Sequence, residues 1–407
     1  MKTLPIILLL IISSFSWITQ AQITNKGLAY LSPNTTYSAL YDFENQEEAA
    51  FYNDGKAYFY KNFTNNGVFD FYENSGKTWF KGEELQKLTG AEPGYFYQLI
   101  FDNQSQMTPF QLSGVFHIHQ SAEFSSGIVD NRNYGGKIIF ENSAIALNTS
   151  DQSYVDGKVE KRGGADFTYP IGQEGFYRFT KTTNAEMNNY TAIYFYDNSN
   201  AEFPHQQKEE SIFSINNREY WELTRLEQEG EQILVTLSYH NMATPQDFIE
   251  AAEQDALVIV RWNENQQKWQ NEGGSINLEE KSITTNVRNL GIFSLGKTEI
   301  EEEEDKCEVE AFNLVDLKGT TNNKYLRFES DCAENYSVQV FNRWGVKVFE
   351  TDYYGTSGDV FDGYSSGRLT VNKKDHLPTG TYYYILNYRN IKTAKINQKI
   401  GYVYIEG

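Results

Sequence analysis

The stretch Lys56–Phe80 reads KAYFYKNFTNNGVFDFYENSGKTWF and is the most informative part of the chain for the fold. It contains three short runs rich in aromatic residues, at Lys56–Tyr60, Val68–Tyr72 and Thr78–Phe80. Polar turn sequences, Asn-Asn-Gly and Asn-Ser-Gly, separate these runs. Short aromatic and β-branched runs bounded by such turns predict strands, and no helical periodicity competes with them.

The same pattern extends over residues 22–164, with further runs at 95–101, 115–118 and 137–140. Very short strands joined by tight turns favour a parallel β-helix or another solenoid in this region. Because no fixed repeat period is visible, an ordinary β-sandwich remains the alternative.

Residues 165–298 contain longer apolar runs and predict an antiparallel β-sandwich of about seven strands. The predicted strands include 176–180, 192–196, 220–223, 232–239 and 257–262. One short helix is expected after Thr244-Pro245, with Thr as the cap and Pro in the first helical position. Its apolar face would consist of Phe248, Ile249, Ala251 and Ala252.

Residues 299–306 form an acidic linker, because Glu301 to Asp305 are contiguous acids that repel one another and extend the chain. A calcium site is the less favoured reading, since it needs oxygen ligands spaced on a shaped loop. The linker would separate a third domain, residues 307–407, from the rest.

The N-terminus has the features of a secretory signal peptide over residues 1–21. A positively charged start, Met1-Lys2-Thr3, precedes an apolar run from Leu4 to Ile18. Small residues then predict cleavage after Ala21, which leaves Gln22 as the mature N-terminus. A retained membrane anchor is the alternative, but the run is short and rich in Ser. No later segment has spanning length, so no transmembrane span is expected in the mature chain.

The composition narrows the possible partners. A formal charge of −20 argues against nucleic acid, whose phosphates require a basic face. Only two cysteines occur, Cys307 and Cys332, and in an exported chain they predict one disulfide. A metal site would need more ligands than two thiols, and two buried free thiols are the other alternative.

The third domain shows four alternating runs, at 338–341, 346–349, 381–388 and 400–405. The first two form a hairpin across Trp344-Gly345, and the size and pattern predict an Ig-like sandwich. Trp344 and the Tyr382/Tyr384 face are expected to fill its core, while Gly345, Gly363 and Gly380 are expected to serve tight turns.

This domain resembles the gliding-motility-associated C-terminal domain, the type B sorting domain of the type IX secretion system of Bacteroidetes. The resemblance covers about 307–407 and rests on Asn342-Arg343-Trp344-Gly345, on Asp362-Gly363, and on Pro378, Gly380 and Tyr382 in family order. One departure is that Asn313–Gly319 replaces the family's early Pro-Asn-Gly-Asp-Gly turn, which leaves any cation role of that turn in doubt.

The resemblance implies a partner, the type IX secretion machinery, and a route of Sec export followed by outer-membrane translocation to the cell surface or the medium. The upstream region is similar, more loosely, to passengers of flavobacterial surface proteins. The segments that carry this likeness are 127–131, 136–142, 155–159, 169–172 and 219–221.

Residues suited to catalysis or metal binding are few. His117 and His119 lie two apart on a predicted strand and would share a face, but no third metal ligand can be identified. No nucleophile elbow, zinc-protease motif or phosphate loop occurs, so neither an enzyme nor a cofactor is predicted. A carboxylate pair of the glycosidase type stays open.

Exposed aromatic residues could instead stack on sugars. Trp79, Trp221, Trp262 and Trp269 are the candidates. Trp262 ends an apolar strand and is assigned to the core, whereas Trp269 lies in a polar stretch and is expected to be exposed. The sequence therefore predicts an exported surface protein with a structural or adhesive passenger. A carbohydrate-binding or carbohydrate-degrading surface protein is the alternative, with surface glycans or proteins as partners.

Overall fold

A computed structural model describes residues 21–105, 108–183, 188–226, 232–299, 307–318, 323–356, 358–365 and 376–407. Residues 1–20, which carry most of the predicted signal peptide, and residues 300–306, which carry most of the predicted linker, lie outside this part of the chain. The described residues form strands almost throughout, with one α-helix and one 3₁₀ helix among them. The predicted all-β class is confirmed.

The first region is a parallel β-helix with three strands in most coils, which confirms the predicted solenoid. Its first sheet contains β1 (Gln22–Asn25), β4 (Asp42–Asn45), β7 (Phe63–Asn65), β10 (Gln86–Thr89), β12 (Phe110–Leu112), β14 (Val129–Asp130) and β17 (Val155–Asp156). Its second sheet contains β2 (Leu28–Leu31), β5 (Ala50–Asn53), β8 (Val68–Asp70), β11 (Gly94–Asn103), β13 (Val115–Ser126), β15 (Lys137–Phe140) and β18 (Val159–Arg162). Its third sheet contains β3 (Thr36–Ala39), β6 (Lys56–Phe59), β9 (Lys77–Gly82), the second halves of β11 and β13, and β16 (Ile145–Leu147).

Coil length varies along the solenoid. Asn45 and Asn65, at equivalent places in neighbouring coils, are 20 residues apart. Gly127 and Ser153, also in neighbouring coils, are 26 residues apart. The turns therefore absorb insertions while the strands stay in register, which explains why no fixed period is visible in the sequence.

The interior of the solenoid is filled by stacked phenylalanines. In each short strand the side chains alternate, so that one set points inward and the other outward. Phe51 and Phe69, partners on β5 and β8, stack with ring centroids 5.2 Å apart. Their neighbours in the buried core include Phe43, Phe59, Phe63, Phe80, Phe96, Phe101, Phe110, Phe116 and Phe124.

An asparagine ladder fixes the turn between the first and second sheets. Asn25 donates a side-chain hydrogen bond to Asn45 (2.9 Å), and Asn45 donates one to Asn65 (2.8 Å). Asn45 also bonds the carbonyl of Val68 and is fully buried. Each amide therefore satisfies the backbone of the next coil, which is what a buried polar group requires.

The second region is an antiparallel sandwich that continues the solenoid. One sheet contains β19 (Phe167–Tyr169), β22 (Thr180–Thr183), β26 (Ile233–Ser238), β30 (Ser282–Val287) and β29 (Ser275–Asn277). The facing sheet contains β23 (Asn189–Phe195), β25 (Tyr220–Arg225), β31 (Gly291–Lys297), β27 (Leu257–Asn263) and β28 (Lys268–Gly273), with β24 (Ser214–Ile215) beside β31. The remaining elements are the hairpin β20 (Gly172–Gln173) and β21 (Phe176–Tyr177), the 3₁₀ helix Ser199–Ala201, and α1 (Gln246–Glu253).

Two regions that the sequence separates at residue 164 share a sheet and a core in the structure. β18 ends the solenoid by pairing antiparallel with β23 of the sandwich. Val159 of the solenoid and Trp221 of the sandwich belong to one buried cluster. The sandwich thus covers the apolar end of the last coil, as a terminal cap of a repeat protein must.

A buried ion pair joins the two sheets of the sandwich. Arg178 and Glu219 lie 2.9 Å apart, and both are essentially inaccessible to solvent. Glu219 also accepts hydrogen bonds from Tyr194, Thr244 and Asn216. Burial, together with this carboxylate, raises the pKa of the Tyr194 hydroxyl, so it stays a hydrogen-bond donor.

Arg178 also explains one incorrect strand prediction. The strand predicted over 176–180 is divided into β21 and β22, because Arg178 turns inward between them to reach Glu219 and the Ser238 carbonyl. The predicted helix is confirmed as α1, with Phe248, Ala251 and Ala252 buried. Its cap was predicted wrongly: Pro245 occupies the N-cap position, and the Thr244 hydroxyl binds Glu219 instead.

The C-terminal domain contains a five-stranded sheet in the order β33, β38, β37, β35, β36. Its strands are β32 (Glu310–Phe312), β33 (Leu314–Asp316), β34 (Arg327–Glu329), β35 (Ala333–Phe341), β36 (Lys347–Thr351), β37 (Gly380–Asn390) and β38 (Ile396–Glu406). The pair β32 and β34 lies apart from this sheet, and the domain has its own buried cluster. Within the described ranges, no helix combines the length and apolar character that a membrane span requires.

We predict that Glu219→Gln destabilises the sandwich by about 3 kcal/mol, because it leaves Arg178 as an uncompensated buried charge. Glu222→Gln is the matched control, three residues further on in β25, since Glu222 is partly exposed and its ion pair with Lys158 is long at 3.6 Å. Hydrogen exchange of peptides from β22 and β25, measured as a function of urea, reports the change. Equal effects of the two substitutions would contradict the prediction.

Candidate functional site

The residues that carry the sorting resemblance meet at one end of the C-terminal domain. Asn342 starts the turn between β35 and β36, where its side chain accepts hydrogen bonds from the backbone amides of Trp344 and Val346, both at 3.0 Å. Gly345 closes the turn with φ of +75°, a conformation that favours glycine. Within the domain the turn is held by its own backbone and by one Asn side chain, and Gly345 also lies close to the sandwich, since a Cβ there would be 3.4 Å from the Gln232 carbonyl oxygen.

Trp344 does not fill the core, and the prediction that it does is wrong. The residue is 43% exposed, because it occupies the tip of the turn rather than a strand position. The Arg343 guanidinium lies over its ring at 4.3 Å. Tyr382 and Tyr384, in contrast, are buried in the core as predicted.

The remaining motif residues are brought together by backbone contacts. The Gly363 carbonyl accepts a hydrogen bond from the amide of Leu377 at 2.8 Å, which sets the Asp362-Gly363 turn beside Pro378. The Tyr382 hydroxyl donates to the Pro378 carbonyl at 2.9 Å, and the Tyr382 ring lies 6.3 Å from that of Phe361. Gly363 has φ of +89°, and a Cβ there would lie 2.5 Å from Leu317.

The predicted disulfide between Cys307 and Cys332 is confirmed, with Cα atoms 5.5 Å apart. The bond ties the start of the domain to the residue that precedes β35, across a separation of 25 residues. A loop of that length contributes about 3.5 kcal/mol in the chain-entropy model. This is a large share of the stability of a module of this size.

His117 and His119 lie on the outer face of the second sheet, where both contact the ring of Tyr95. His117 Nδ1 is 2.8 Å from a Glu141 oxygen. Burial lowers the pKa of His119 and so favours its neutral form. Among the described residues, no group of three or more His, Cys, Asp or Glu side chains is placed to hold a metal.

Three of the four tryptophans proposed for sugar stacking are buried. Trp221 and Trp269 have no exposed surface, and Trp262 is buried with Trp269 in a small cluster. The expectation that Trp269 is exposed is therefore wrong. Trp269 occupies an inward-facing position of β28, although its neighbours in the sequence are polar. Trp79 is the exception, since it lies half-buried on the outer face of β9.

The outer faces of the solenoid carry clusters of aromatic side chains that were not predicted as a site from the sequence. Beside the second sheet, Tyr72, which follows β8, stacks on Tyr52 of β5 at 4.1 Å and meets Tyr30 of β2 edge-on at 5.8 Å. On the third sheet, Tyr58 and Trp79 stack at 4.5 Å. Tyr30 is 48% and Tyr72 is 62% exposed. The sequence signal for the pair on the third sheet is the similarity of Lys56-Ala57-Tyr58-Phe59 to Lys77-Thr78-Trp79-Phe80.

The C-terminal domain is thus a disulfide-linked, Ig-like module with an exposed Arg-Trp turn. Residues 309–405 match the CHU_C type IX secretion signal domain family, which confirms the suspected sorting domain. The chain is therefore a secreted protein that the type IX secretion system sorts, and it is located outside the cell or at its surface. Comparison with curated proteins and with solved structures gave no match.

We predict that Trp344→Ala lowers surface delivery while the domain stays folded. Because the side chain is outside the core, its loss should change domain stability by less than about 0.5 kcal/mol. Loss of an exposed aromatic anchor should weaken recognition by the machinery about tenfold or more. Immunostaining of intact cells, compared with total protein, measures delivery.

Tyr353→Ala is the control for this test, since Tyr353 is 73% exposed in the same domain but lies outside the motif. Normal display of the Trp344 variant, or an equal loss with the Tyr353 variant, would exclude a specific role of the turn.

Proposed function

We propose that residues 22–299 act as an adhesive passenger that the sorting domain brings to the cell surface. The proposal is carried by the aromatic clusters on the outside of the solenoid. The interior is already filled by phenylalanines, so these outer rings are not needed to build the core. Exposed clusters of large amphipathic side chains are typical of interaction surfaces.

The shape of the passenger supports a contact role. A solenoid presents repeated outer faces on a rigid frame, because each coil is held by the hydrogen bonds of its neighbours. Tyr30 and Tyr52 are register partners on neighbouring coils, and Tyr72, just after β8, contacts both rings. An extended partner can therefore meet several rings at once, which raises avidity without a deep cavity.

Carbohydrate binding is the second candidate, favoured by the stack of Tyr58 on Trp79. Aromatic rings present apolar faces to sugar C–H groups, and the hydroxyls of neighbouring side chains can bond to sugar hydroxyls. We propose binding rather than catalysis, since two of the acids near the outer aromatic rings already have partners: Asp54 accepts hydrogen bonds from the amides of Tyr72 and Glu73, and Asp102 is paired with Lys81.

We predict that Tyr30→Ser combined with Tyr72→Ser reduces adhesion of cells to their substratum about tenfold, because two exposed aromatic contacts of 0.5–1.5 kcal/mol each are lost. Cells that display the variant are compared with wild-type cells in a flow chamber, with display checked by immunostaining. Tyr134→Ser serves as the control, since Tyr134 is exposed on a turn away from this cluster. Unchanged adhesion at equal display would refute the adhesive role of this face.

A further inference from the structure

The third sheet of the solenoid has a step in its outer surface between the first and second coils. β3 places Thr36 and Ser38 outward, and the in-register partners of these residues on β6 are Lys56 and Tyr58. The next coil repeats the larger pair as Lys77 and Trp79. Small side chains in one coil are thus followed by long and aromatic ones in the next two.

Among the described residues, this step leaves the face of Tyr58 towards the first coil without an aromatic partner. Trp79 stacks on the other face at 4.5 Å and an interplanar angle of 15°. On the side of the first coil, the register partner of Tyr58 is Ser38, whose side chain is too short to cover a ring. The rings of Tyr58 and Tyr60 lie 6.5 Å apart at 22° to each other. The open face of Tyr58 therefore lies beside Ser38, and Lys56 lies beside Thr36.

The outer surface at this step, which we call the ledge, comprises Thr36, Ser38, Lys56, Tyr58, Lys77 and Trp79 and carries two lysines on paired strands. Lys56 and Lys77 are direct partners on neighbouring parallel strands, and both side chains are exposed. Like charges placed directly opposite in a sheet repel each other. Among the described residues, neither forms an ion pair, whereas the nearby Lys81 is paired with Asp102 at 2.6 Å. An arrangement that costs stability in the free protein is relieved when an anion lies between the two ammonium groups.

The acids around the ledge leave this charge pair effective. The Asp102 carboxylate is engaged by Lys81 and raises the pKa of that lysine. Glu123 lies on β13, two strands away from Trp79, with Ile100 of β11 between them. Although the chain is acidic overall, charges beyond about 8 Å are largely screened at physiological salt. Neither Asp102 nor Glu123 therefore neutralises Lys56 or Lys77.

We propose that this ledge, Thr36, Ser38, Lys56, Tyr58, Lys77 and Trp79, binds an anionic polysaccharide. A sugar ring stacks on the open face of Tyr58 and its hydroxyls meet Thr36 and Ser38. Its carboxylate or sulfate group lies between Lys56 and Lys77. The inference rests on the proposed adhesive function and names the ligand class for one of its faces.

The test uses the intact mature protein and isothermal titration with four probes: polygalacturonate, dextran sulfate, neutral dextran and polyglutamate. Polygalacturonate or dextran sulfate should bind at least about tenfold more tightly than dextran in low salt, and the difference should shrink as salt screens the lysines. The stronger of the two identifies carboxylate or sulfate as the recognised group. Polyglutamate, which has charge but no sugar ring, should bind no better than dextran.

Two variants separate binding from folding. Ser38→Tyr adds a third ring to the stack, so the melting temperature should not fall, yet it covers the open face of Tyr58 and should abolish binding. Lys56→Gln combined with Lys77→Gln should remove the preference for anionic over neutral chains. Lys87→Gln, an exposed lysine on the first sheet, is the control and should leave binding unchanged.

Equal binding of dextran and the anionic chains would overturn the anionic specificity and leave the adhesive proposal standing. If polyglutamate bound as tightly as the anionic polysaccharides, charge alone would explain binding and the proposed site would be wrong. Binding that survives Ser38→Tyr would also overturn the site. Absence of binding to every probe would overturn the inference, while the adhesion assay with the Tyr30 and Tyr72 substitutions decides the proposed function separately.

Discussion

The parallel stacking of coils in register is the constraint on which the rest of the passenger depends. No single coil can bury its inward side chains, so each one is stable only when its neighbours cover it. The same register aligns the inner phenylalanines, the Asn25, Asn45 and Asn65 ladder, and the outer pair Lys56 and Lys77. A shift by one residue would exchange the inner and outer sets, because the side-chain period is two.

The stack has to end, and the sandwich performs this role. β23 changes the pairing of the last solenoid sheet from parallel to antiparallel. The two sheets of the sandwich are in turn joined by the buried ion pair of Arg178 and Glu219. The hydrogen-bond partners of this pair also belong to the sandwich. A buried pair of this kind adds little net stability, although removing one partner is costly because the other charge is left buried. Solenoid and sandwich therefore behave as one structural unit, and the sorting domain has a separate core.

Much of this architecture could be predicted from local patterns. Short aromatic runs with polar turns indicated the solenoid, and the Asn342-Arg343-Trp344-Gly345 stretch with its partners indicated the sorting domain. The errors arose where contacts between distant residues decide the outcome. Arg178 interrupts a predicted strand because its side chain turns inward to pair with Glu219, which is 41 positions away in the sequence. Trp269 is buried because Phe203 and Trp262 cover it. The Lys56 and Lys77 ledge needed the register of two coils, although the matching KAYF and KTWF runs contained the signal.

The most direct test is a disulfide cross-link between two residues that the register of β6 and β9 places opposite each other. Lys56→Cys with Lys77→Cys places two thiols outward on paired strands about 4.8 Å apart, within the range that a disulfide can bridge. Lys56→Cys with Thr78→Cys is the control, since Thr78 is buried and points inward. Mild oxidation followed by peptide mass spectrometry should find the bond joining positions 56 and 77 and little or none in the control. Failure of the first pair to cross-link, or equal cross-linking of both pairs, would contradict the stacked solenoid and the surface built on it.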